Sequence, residues 1–146
     1  MRKTVWVGLI VLVIASVLLA ACGGGGSSEG SGVQRQNPPA DYAGMTNPFA
    51  GNADAAAQGQ AAYASNCASC HGDSANGEGP AAASLTPKPA NLQQTAKETE
   101  PNYQHWVIAK GGAAAGLSSS MPAFEGTLSD DQIWQIVTFL ETNYGQ

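Results

Sequence analysis

The chain has 146 residues and a formal net charge of −5, and 43% of its residues are hydrophobic, which suits one small domain with appended segments. From residue 53 onward three lysines stand against nine acidic side chains, an excess of six negative charges (nine minus three). This balance argues against nucleic acid as a partner, because phosphate binding requires a basic face. It permits electrostatic steering towards a basic protein partner, and it equally fits an ordinary solvated acidic surface.

Residues 1–21 have the arrangement of an export signal. Arg2 and Lys3 precede an uncharged apolar run over residues 5–21, as a positive n-region precedes an apolar h-region. The run also reaches the lower length limit of a membrane-spanning helix. It ends in the tetrapeptide LAAC, which closes with Cys22 and resembles the bacterial lipobox. We therefore expect an exported chain at the outer, periplasmic face of the cytoplasmic membrane, held by lipid on Cys22 or, alternatively, by an uncleaved signal anchor.

Residues 22–52 predict a flexible linker. Cys22 is followed by four glycines and then by a mixture rich in serine, glycine, proline and asparagine, a composition typical of linkers. Met45 and Phe49, near its end, are bulky enough to pack on another surface. The folded domain is then residues 53–146, about 94 residues (146 minus 52). Because that length is marginal for a purely apolar core, we expect a bound cofactor to contribute apolar surface.

The stretch Cys67-Ala68-Ser69-Cys70-His71 has the spacing of c-type haem attachment. Cysteines three positions apart on a helix share one face, so both sulfurs can reach the vinyl groups along one edge of a porphyrin, with the histidine beneath the iron. The alternatives are an inert cysteine pair, a zinc site and a thioredoxin-type pair. A zinc site requires four ligands, and a thioredoxin motif belongs in a βαβ pattern. The sequence shows neither the further ligands nor a convincing strand.

Two helices are predicted at the ends of the domain. Helical periodicity begins at Asp54 and continues to the haem motif. Gly59 within it costs about 1 kcal/mol against alanine, so we expect it to allow the close approach of another helix. The last helix begins at a capping box of Ser129 and Gln132 and runs with a 3.6-residue apolar period to Tyr144. This last helix is the expected partner at Gly59.

The middle of the domain is rich in glycine and proline, which predicts loops with one further helix. Pro101 marks the start of that helix and Gly111-Gly112 its end. Tyr103 and Trp106 lie on its apolar face. His105 falls about 200° from Tyr103 around the helix, so we expect a surface residue rather than a metal ligand.

Met121 precedes Pro122 in an uncharged loop, 50 residues after His71. A methionine is often core filler. A thioether in a loop beside a proline is, however, a suitable second axial ligand for a haem that histidine already holds. We therefore predict Met121 as that ligand, with Met45 and His105 as the alternatives.

Taken together, these features closely resemble class I cytochromes c over about residues 54–144. The residues that carry the resemblance are Gly59, Tyr63, the CASCH stretch, Gly79-Pro80, residues 87–91, Met121-Pro122 and the terminal helix. The resemblance implies an all-α fold with about three main helices and short ones around one covalent haem c. It implies thioether bonds from Cys67 and Cys70, with the iron between His71 and Met121. It also implies that the carbonyl of Pro80 accepts the Nδ1 hydrogen of His71.

A haem with both axial positions filled moves electrons rather than transforming a substrate. We therefore expect a one-electron carrier with redox protein partners and no small-molecule substrate. The LAAC ending, the glycine-rich linker and the stretch MTNPFAG (residues 45–51) resemble the monohaem lipoprotein subunit of alternative complex III, a bacterial quinol-oxidising assembly. The alternatives are a free-standing lipoprotein cytochrome that donates to an oxidase or reductase, and a haem enzyme such as a peroxidase with an axial site that opens.

Overall fold

The computed structural model describes residues 35–146, so the predicted export segment and the predicted lipidation site at Cys22 lie outside the described residues. This part of the chain is all-α, as predicted, and contains no strand. Its six α-helices are α1 (Ala40–Ala43), α2 (Ala53–Asn66), α3 (Ala68–His71), α4 (Leu92–Glu98), α5 (Pro101–Lys110) and α6 (Asp130–Tyr144), and two 3-10 helices span Ala82–Ser84 and Gly112–Ala115. No helix among these residues is long and apolar enough to cross a membrane.

Side-chain caps fix where α2 and α6 begin. The Asn52 side chain accepts a hydrogen bond from the N–H of Ala55 at 3.0 Å. The Ser129 hydroxyl accepts from the N–H of Gln132 at 3.2 Å, and the Gln132 side chain accepts from the N–H of Ser129 at 2.9 Å. This reciprocal pair satisfies two N–H groups that a helix start otherwise leaves free. The predicted capping box is therefore confirmed.

The helices α2 and α6 share the most extensive helix contact in the described part. Gly59 is buried there, and an added Cβ would overlap the backbone carbonyl of Gln135. Further along α2, the Tyr63 ring lies 5.3 Å from that of Phe139, and its hydroxyl donates to the carbonyl of Gly72 at 2.7 Å. The expectation that Gly59 permits close approach of the last helix is confirmed.

Residues 35–52, hereafter the strap, lie against the domain and do not form the free linker expected up to residue 52. Three apolar side chains of the strap pack against the core: Tyr42, Met45 and Phe49. The Asn47 side-chain amide donates to the Thr138 hydroxyl of α6 at 3.0 Å. The difference from the prediction arises because these side chains remove apolar area from water, which a free linker would leave exposed. The folded part of the chain therefore begins before residue 53.

The predicted third helix is confirmed as α5, but the surface position expected for His105 is wrong. His105 is only 1% exposed, and its ring stacks on Trp134 of α6 with 4.1 Å between the ring centroids. On the strap, the Tyr42 ring lies 5.9 Å away. The helical phase does turn His105 away from Tyr103, but α6 and the strap cover that second face. The helix α5 is thus buried on more than one side.

The glycine- and proline-rich middle contains α4, a seven-residue helix that the sequence analysis did not identify. Its first turn is capped by Asn91, whose side chain accepts from the N–H of Gln94 at 3.3 Å. Buried Ala75 lies in the left-handed region with φ 59°, and its carbonyl accepts from the N–H of Leu92 at 2.8 Å. The loop after His71 therefore holds the start of α4 beside the haem motif.

Candidate haem-binding site

The CASCH stretch forms the junction between α2 and α3. Cys67 caps the end of α2, with its N–H donating to the carbonyl of Tyr63 at 2.8 Å, and its own carbonyl accepts from the N–H of His71 at 2.9 Å. Both Cys67 and Cys70 are half-buried free thiols. Helical hydrogen bonds therefore continue from α2 through Cys67 into α3, and the crossing with α6 holds α2 in place.

Burial raises the pKa of the Cys67 thiol to about 12, with a smaller contribution from neighbouring Cys70. Redox-active dithiols have the opposite property, because their attacking cysteine has a lowered pKa that makes it a thiolate at neutral pH. The electrostatics of this site therefore disfavour the thioredoxin-type alternative for the cysteine pair.

The His71 ring is oriented by the backbone of a later loop. Its Nδ1 atom lies 3.0 Å from the carbonyl oxygen of Ala90. Burial lowers the pKa of His71, and the contact with Ala90 offsets part of that shift. A neutral imidazole that donates from Nδ1 presents Nε2 as a free lone pair, which is the form that ligates a metal.

The acceptor expected for His71 was the carbonyl of Pro80, and the structure corrects this to Ala90. The backbone around Pro80 is used differently, since the N–H of Gly79 donates to Cys70 at 3.1 Å and the N–H of Ala81 donates to Ser69 at 2.9 Å. A Cβ at Gly79 would lie 2.5 Å from the Ser69 carbonyl oxygen. The Gly79-Pro80 turn therefore packs on the backbone of α3, while the loop before α4 reaches the imidazole.

A cleft with a cavity volume of about 180 Å³ opens beside the CASCH stretch. Its walls are mainly apolar and come from α2, α4, α5, α6 and the loop before Met121. The apolar wall residues are Tyr63, Ala90, Leu92, Val107, Ile108, Leu117, Ile136 and Leu140. Cys67, His71 and Met121 also line it, so three of the sequence-predicted site residues meet in one cavity. Its apolar lining with a few convergent polar groups is that of a cofactor site.

Two glycines shape the loop that carries Met121. Gly111 has φ 82°, and a Cβ there would lie 2.8 Å from the backbone nitrogen of Ala123. The N–H of Gly112 donates to the carbonyl of Met121 at 3.0 Å, and a Cβ on Gly112 would overlap the carbonyl of Ser118. From the sequence, this pair was predicted only as a helix stop. The structure shows that it also lets the methionine loop fold back against the end of α5.

Four polar residues that the sequence did not predict as site residues also line the cavity: Arg35, Thr95, Tyr103 and Gln104. Arg35 belongs to the strap, and Tyr103 and Gln104 to α5. The Tyr103 hydroxyl and the Gln104 Oε1 atom are buried and bond to no group within residues 35–146. Tyr103 was recognised as part of an apolar face, but no sequence pattern indicated that it would line the same cavity as Arg35.

These residues fit a haem, which needs apolar walls for its ring, nitrogen and sulfur donors for iron, and polar partners for its carboxylates. The fold and the cavity define a class I c-type cytochrome. Residues 54–140 match the family described as cytochrome c oxidase, cbb3-type, subunit III, and the chain belongs to this family. A search of curated proteins found no match. The domain therefore binds a covalent c-type haem with its iron and belongs to the haem-based electron carriers.

Proposed function

We propose that Cys67 and Cys70 attach the haem through thioether bonds, that His71 and Met121 are its axial ligands, and that the protein is a one-electron carrier without catalytic activity of its own. The observation that supports this most strongly is the convergence of Cys67, His71 and Met121 on one apolar cavity. A haem iron with histidine and methionine ligands accepts and returns single electrons at a closed coordination sphere.

The protein's own residues supply orientation and exclusion of water. The Ala90 carbonyl, 3.0 Å from Nδ1 of His71, fixes the tautomer and the ring plane of the ligand. The wall residues of α5 and α6, such as Ile108, Ile136 and Leu140, are nearly completely buried. A dry, low-dielectric wall favours the iron state of lower net charge, and methionine opposite histidine also favours reduced iron. Both effects raise the reduction potential.

Replacement of Met121 tests the ligand assignment and separates a carrier from an enzyme. We expect Met121→Ala to abolish the weak sulfur-to-iron absorption band of the ferric protein and to open the iron to cyanide. Met121→His should keep the site closed and lower the potential. Met45→Ala is the matched control, because Met45 packs against the core from the strap and is not a residue of the cavity wall. Rapid binding of cyanide or peroxide by the unmodified protein would instead favour a peroxidase-type enzyme.

The proposed setting is the outer face of the cytoplasmic membrane, in a quinol-oxidising complex of the alternative complex III type. The support is the LAAC ending at Cys22, the glycine-rich segment that follows, and the resemblance of the stretch MTNPFAG to that subunit. Met45 and Phe49 of this stretch pack on the cytochrome domain, so a tether that enters through the strap would reach the membrane from a fixed point on the domain surface.

A second setting is supported by the description of the matched family, which names a cytochrome c oxidase subunit. Isolation of the native complex in mild detergent distinguishes the two settings. Quinol-dependent reduction of this haem, with quinol-oxidising subunits in the complex, would support the first. Co-purification with an oxygen-reducing oxidase would support the second, and isolation of a single polypeptide would indicate a free-standing lipoprotein cytochrome.

Mass spectrometry of the mature N-terminus tests the anchor. We expect a chain that begins at Cys22 and carries two or more acyl chains, since one chain alone holds a protein only marginally to a bilayer. A chain that still begins at Met1 or Arg2 would contradict lipidation and establish the uncleaved signal anchor.

A further inference from the structure

Residues 112–121, which lead from the second 3-10 helix to Met121, form backbone hydrogen bonds almost entirely among themselves. The N–H of Leu117 donates to the carbonyl of Gly112 at 2.8 Å, and the N–H of Met121 donates to the carbonyl of Ser118 at 3.3 Å. Within residues 35–146, the one backbone hydrogen bond that joins this segment to another part of the chain comes from the strap. The strap is therefore placed to restrict the movement of the loop that carries Met121.

This bond joins Gln36 of the strap to Ala115. The N–H of Gln36 donates to the carbonyl of Ala115 at 3.2 Å. Ala115 is the last residue of the 3-10 helix Gly112–Ala115 and is fully buried. The last carbonyls of a helix have no partner within the helix, and a buried carbonyl without any partner is unfavourable. Gln36 therefore supplies the donor that this helix end requires.

Tyr42 adds apolar packing between the strap and the same segment. Its half-buried side chain packs against a buried cluster of α5 and the 3-10 helix, and Leu117 and Met121 pack against that cluster too. The cluster consists of Tyr103, Trp106, Val107 and Ala115. The Asn102 side chain of α5 holds the strap backbone here, since it donates to the carbonyls of Tyr42 and Ala43 at 3.1 and 3.0 Å.

The chain after Met121 is held by α5 and not by the strap. The N–H of Phe124 donates to the carbonyl of Ile108 at 3.1 Å, and the Lys110 ammonium donates to the carboxylate of Glu125 at 2.6 Å. Met121 therefore lies between two differently supported segments. The helix α5 fixes the one that follows it, and the strap contacts the one that precedes it.

We propose that Gln36 and Tyr42 of the strap are positioning residues for Met121, and that their contacts limit how often the methionine leaves the iron. The inference rests on the proposed function, in which Met121 is the sixth ligand. A segment with mainly internal hydrogen bonds opens locally at a free-energy cost set by its contacts with the rest of the domain. Contacts from the strap raise that cost and so lower the fraction of molecules with an open iron site. The strap thereby helps to keep the site closed, as an electron carrier requires.

The rate at which saturating cyanide binds to the ferric haem protein measures how often Met121 departs. Gln36→Pro removes the N–H that bonds to Ala115 and should increase this rate about two- to tenfold, as expected for the loss of one hydrogen bond. The sulfur-to-iron band should persist, because Met121 still occupies the iron most of the time. Gln36→Ala is the matched control, since it keeps the backbone N–H and changes only an exposed side chain. The control should bind cyanide at the rate of the unmodified protein.

Asn102→Asp loosens the strap from α5 without a change in the strap or in the methionine loop. It removes the amide group that donates to Tyr42 and Ala43, and it retains the side-chain oxygen that accepts from the N–H of Tyr103 at 2.9 Å. We expect faster cyanide binding in this variant as well. Hydrogen exchange should accelerate in residues 112–121 of both variants and stay the same in α6.

A double variant shows whether the effect passes through Met121. In Met121→Ala the iron is already open, so the further change Gln36→Pro should not increase the rate of cyanide binding again. An unchanged rate in both Gln36→Pro and Asn102→Asp would overturn the proposal, as would an equal increase from Gln36→Pro in the Met121→Ala background. A failure of the proposed function is distinct, because Met121→Ala would then leave the sulfur-to-iron band in place.

Discussion

The crossing of α2 with α6 and the cavity beside it differ in what fills the space between the helices. At the crossing the protein fills that space itself, since Gly59 brings the two backbones into contact and Val137 is fully buried. Beside the crossing, the side chains of Ile136 and Leu140 of the same helix line a cleft of about 180 Å³. The helix α6 therefore takes part in two kinds of core. One is packed by protein side chains alone, and the other is expected to be packed by the cofactor.

Removal of the cofactor is the strongest way to test this difference. The double variant Cys67→Ala/Cys70→Ala should lose all covalent haem, because no thioether can form, and denaturing gel electrophoresis with haem staining checks this. Without the ring, the walls of the cavity lose their packing partner and are exposed to water. Hydrogen exchange should therefore accelerate more in α4 and in the methionine loop than in α2 around Gly59.

Ser69→Ala is the control for this prediction, since Ser69 is exposed between the two cysteines and its replacement leaves their spacing intact. It should retain haem through denaturation. Equal loss of protection at the crossing and at the cavity wall in the double variant would show that the two cores are not separable.

The substitution Gly59→Ala tests the crossing of α2 with α6. Its Cβ would overlap the carbonyl of Gln135, and because both positions belong to helix backbones, a whole helix must move. We expect a loss of about 3 kcal/mol in the free energy of unfolding, at the upper end of the cost of overpacking, measured by urea titration of the haem protein. Gly126→Ala is the control, since nothing lies within 4 Å of its added Cβ, and it should change stability by no more than about 0.5 kcal/mol.

His105 makes the contact between α5 and α6 sensitive to pH. Burial lowers its pKa, and Asp130, whose Oδ1 lies 2.9 Å from Nε2 in a poor hydrogen-bond orientation, opposes part of that shift. Above pH about 6.5 the ring is neutral in both the folded and the unfolded chain, so the stabilisation is fully present. As the pH falls below this value, the unfolded chain takes up the proton first and stability decreases, with a slope of at most about 1.4 kcal/mol per pH unit.

Urea titrations of the haem protein between pH 7 and 5.5 measure this slope. His105→Gln should reduce the slope of stability against pH, because glutamine does not titrate. This expectation holds whatever the substitution does to the free energy of unfolding at pH 7. An unchanged slope in this variant would contradict the assignment of the pH dependence to His105.

The smallest expected effect concerns the strap. Asn47→Ala removes the hydrogen bond of 3.0 Å to Thr138 and the one of 2.9 Å that Asn47 accepts from the N–H of Phe49, and it should cost about 1 kcal/mol. The rate of hydrogen exchange at the strap amides should increase, while the rate in α2 stays the same. Hydrogen exchange with mass spectrometry measures both rates. Thr46→Ala at the neighbouring exposed position is the control. A uniform increase over the whole domain would show that the strap is an integral part of the core.

Several parts of the fold follow from the sequence because they depend on neighbours along the chain. The capping box at Ser129 needs only a hydroxyl and a glutamine three positions later, and Pro101 with Gly111 delimits α5 through backbone geometry alone. The spacing of Cys67, Cys70 and His71 predicts haem attachment from five consecutive residues. The structure adds the mutual placement of these local features.

The tertiary structure determines the contacts between segments that are distant in the sequence. Every residue has a backbone carbonyl, so the local sequence does not show whether the carbonyl of Pro80 or that of Ala90 contacts Nδ1 of His71. The structure shows that it is Ala90, because the hydrogen bond from Leu92 to Ala75 holds that loop beside the imidazole. The helical periodicity predicts that His105 faces away from Tyr103, but it cannot show that the strap and α6 cover that second face of α5. Likewise the polar composition around Arg35 indicates a linker, and only its ion pair with Glu98 of α4 and its place in the cavity lining show that it belongs to the wall. Local chemistry is encoded in adjacent residues, whereas burial depends on what the rest of the chain brings alongside.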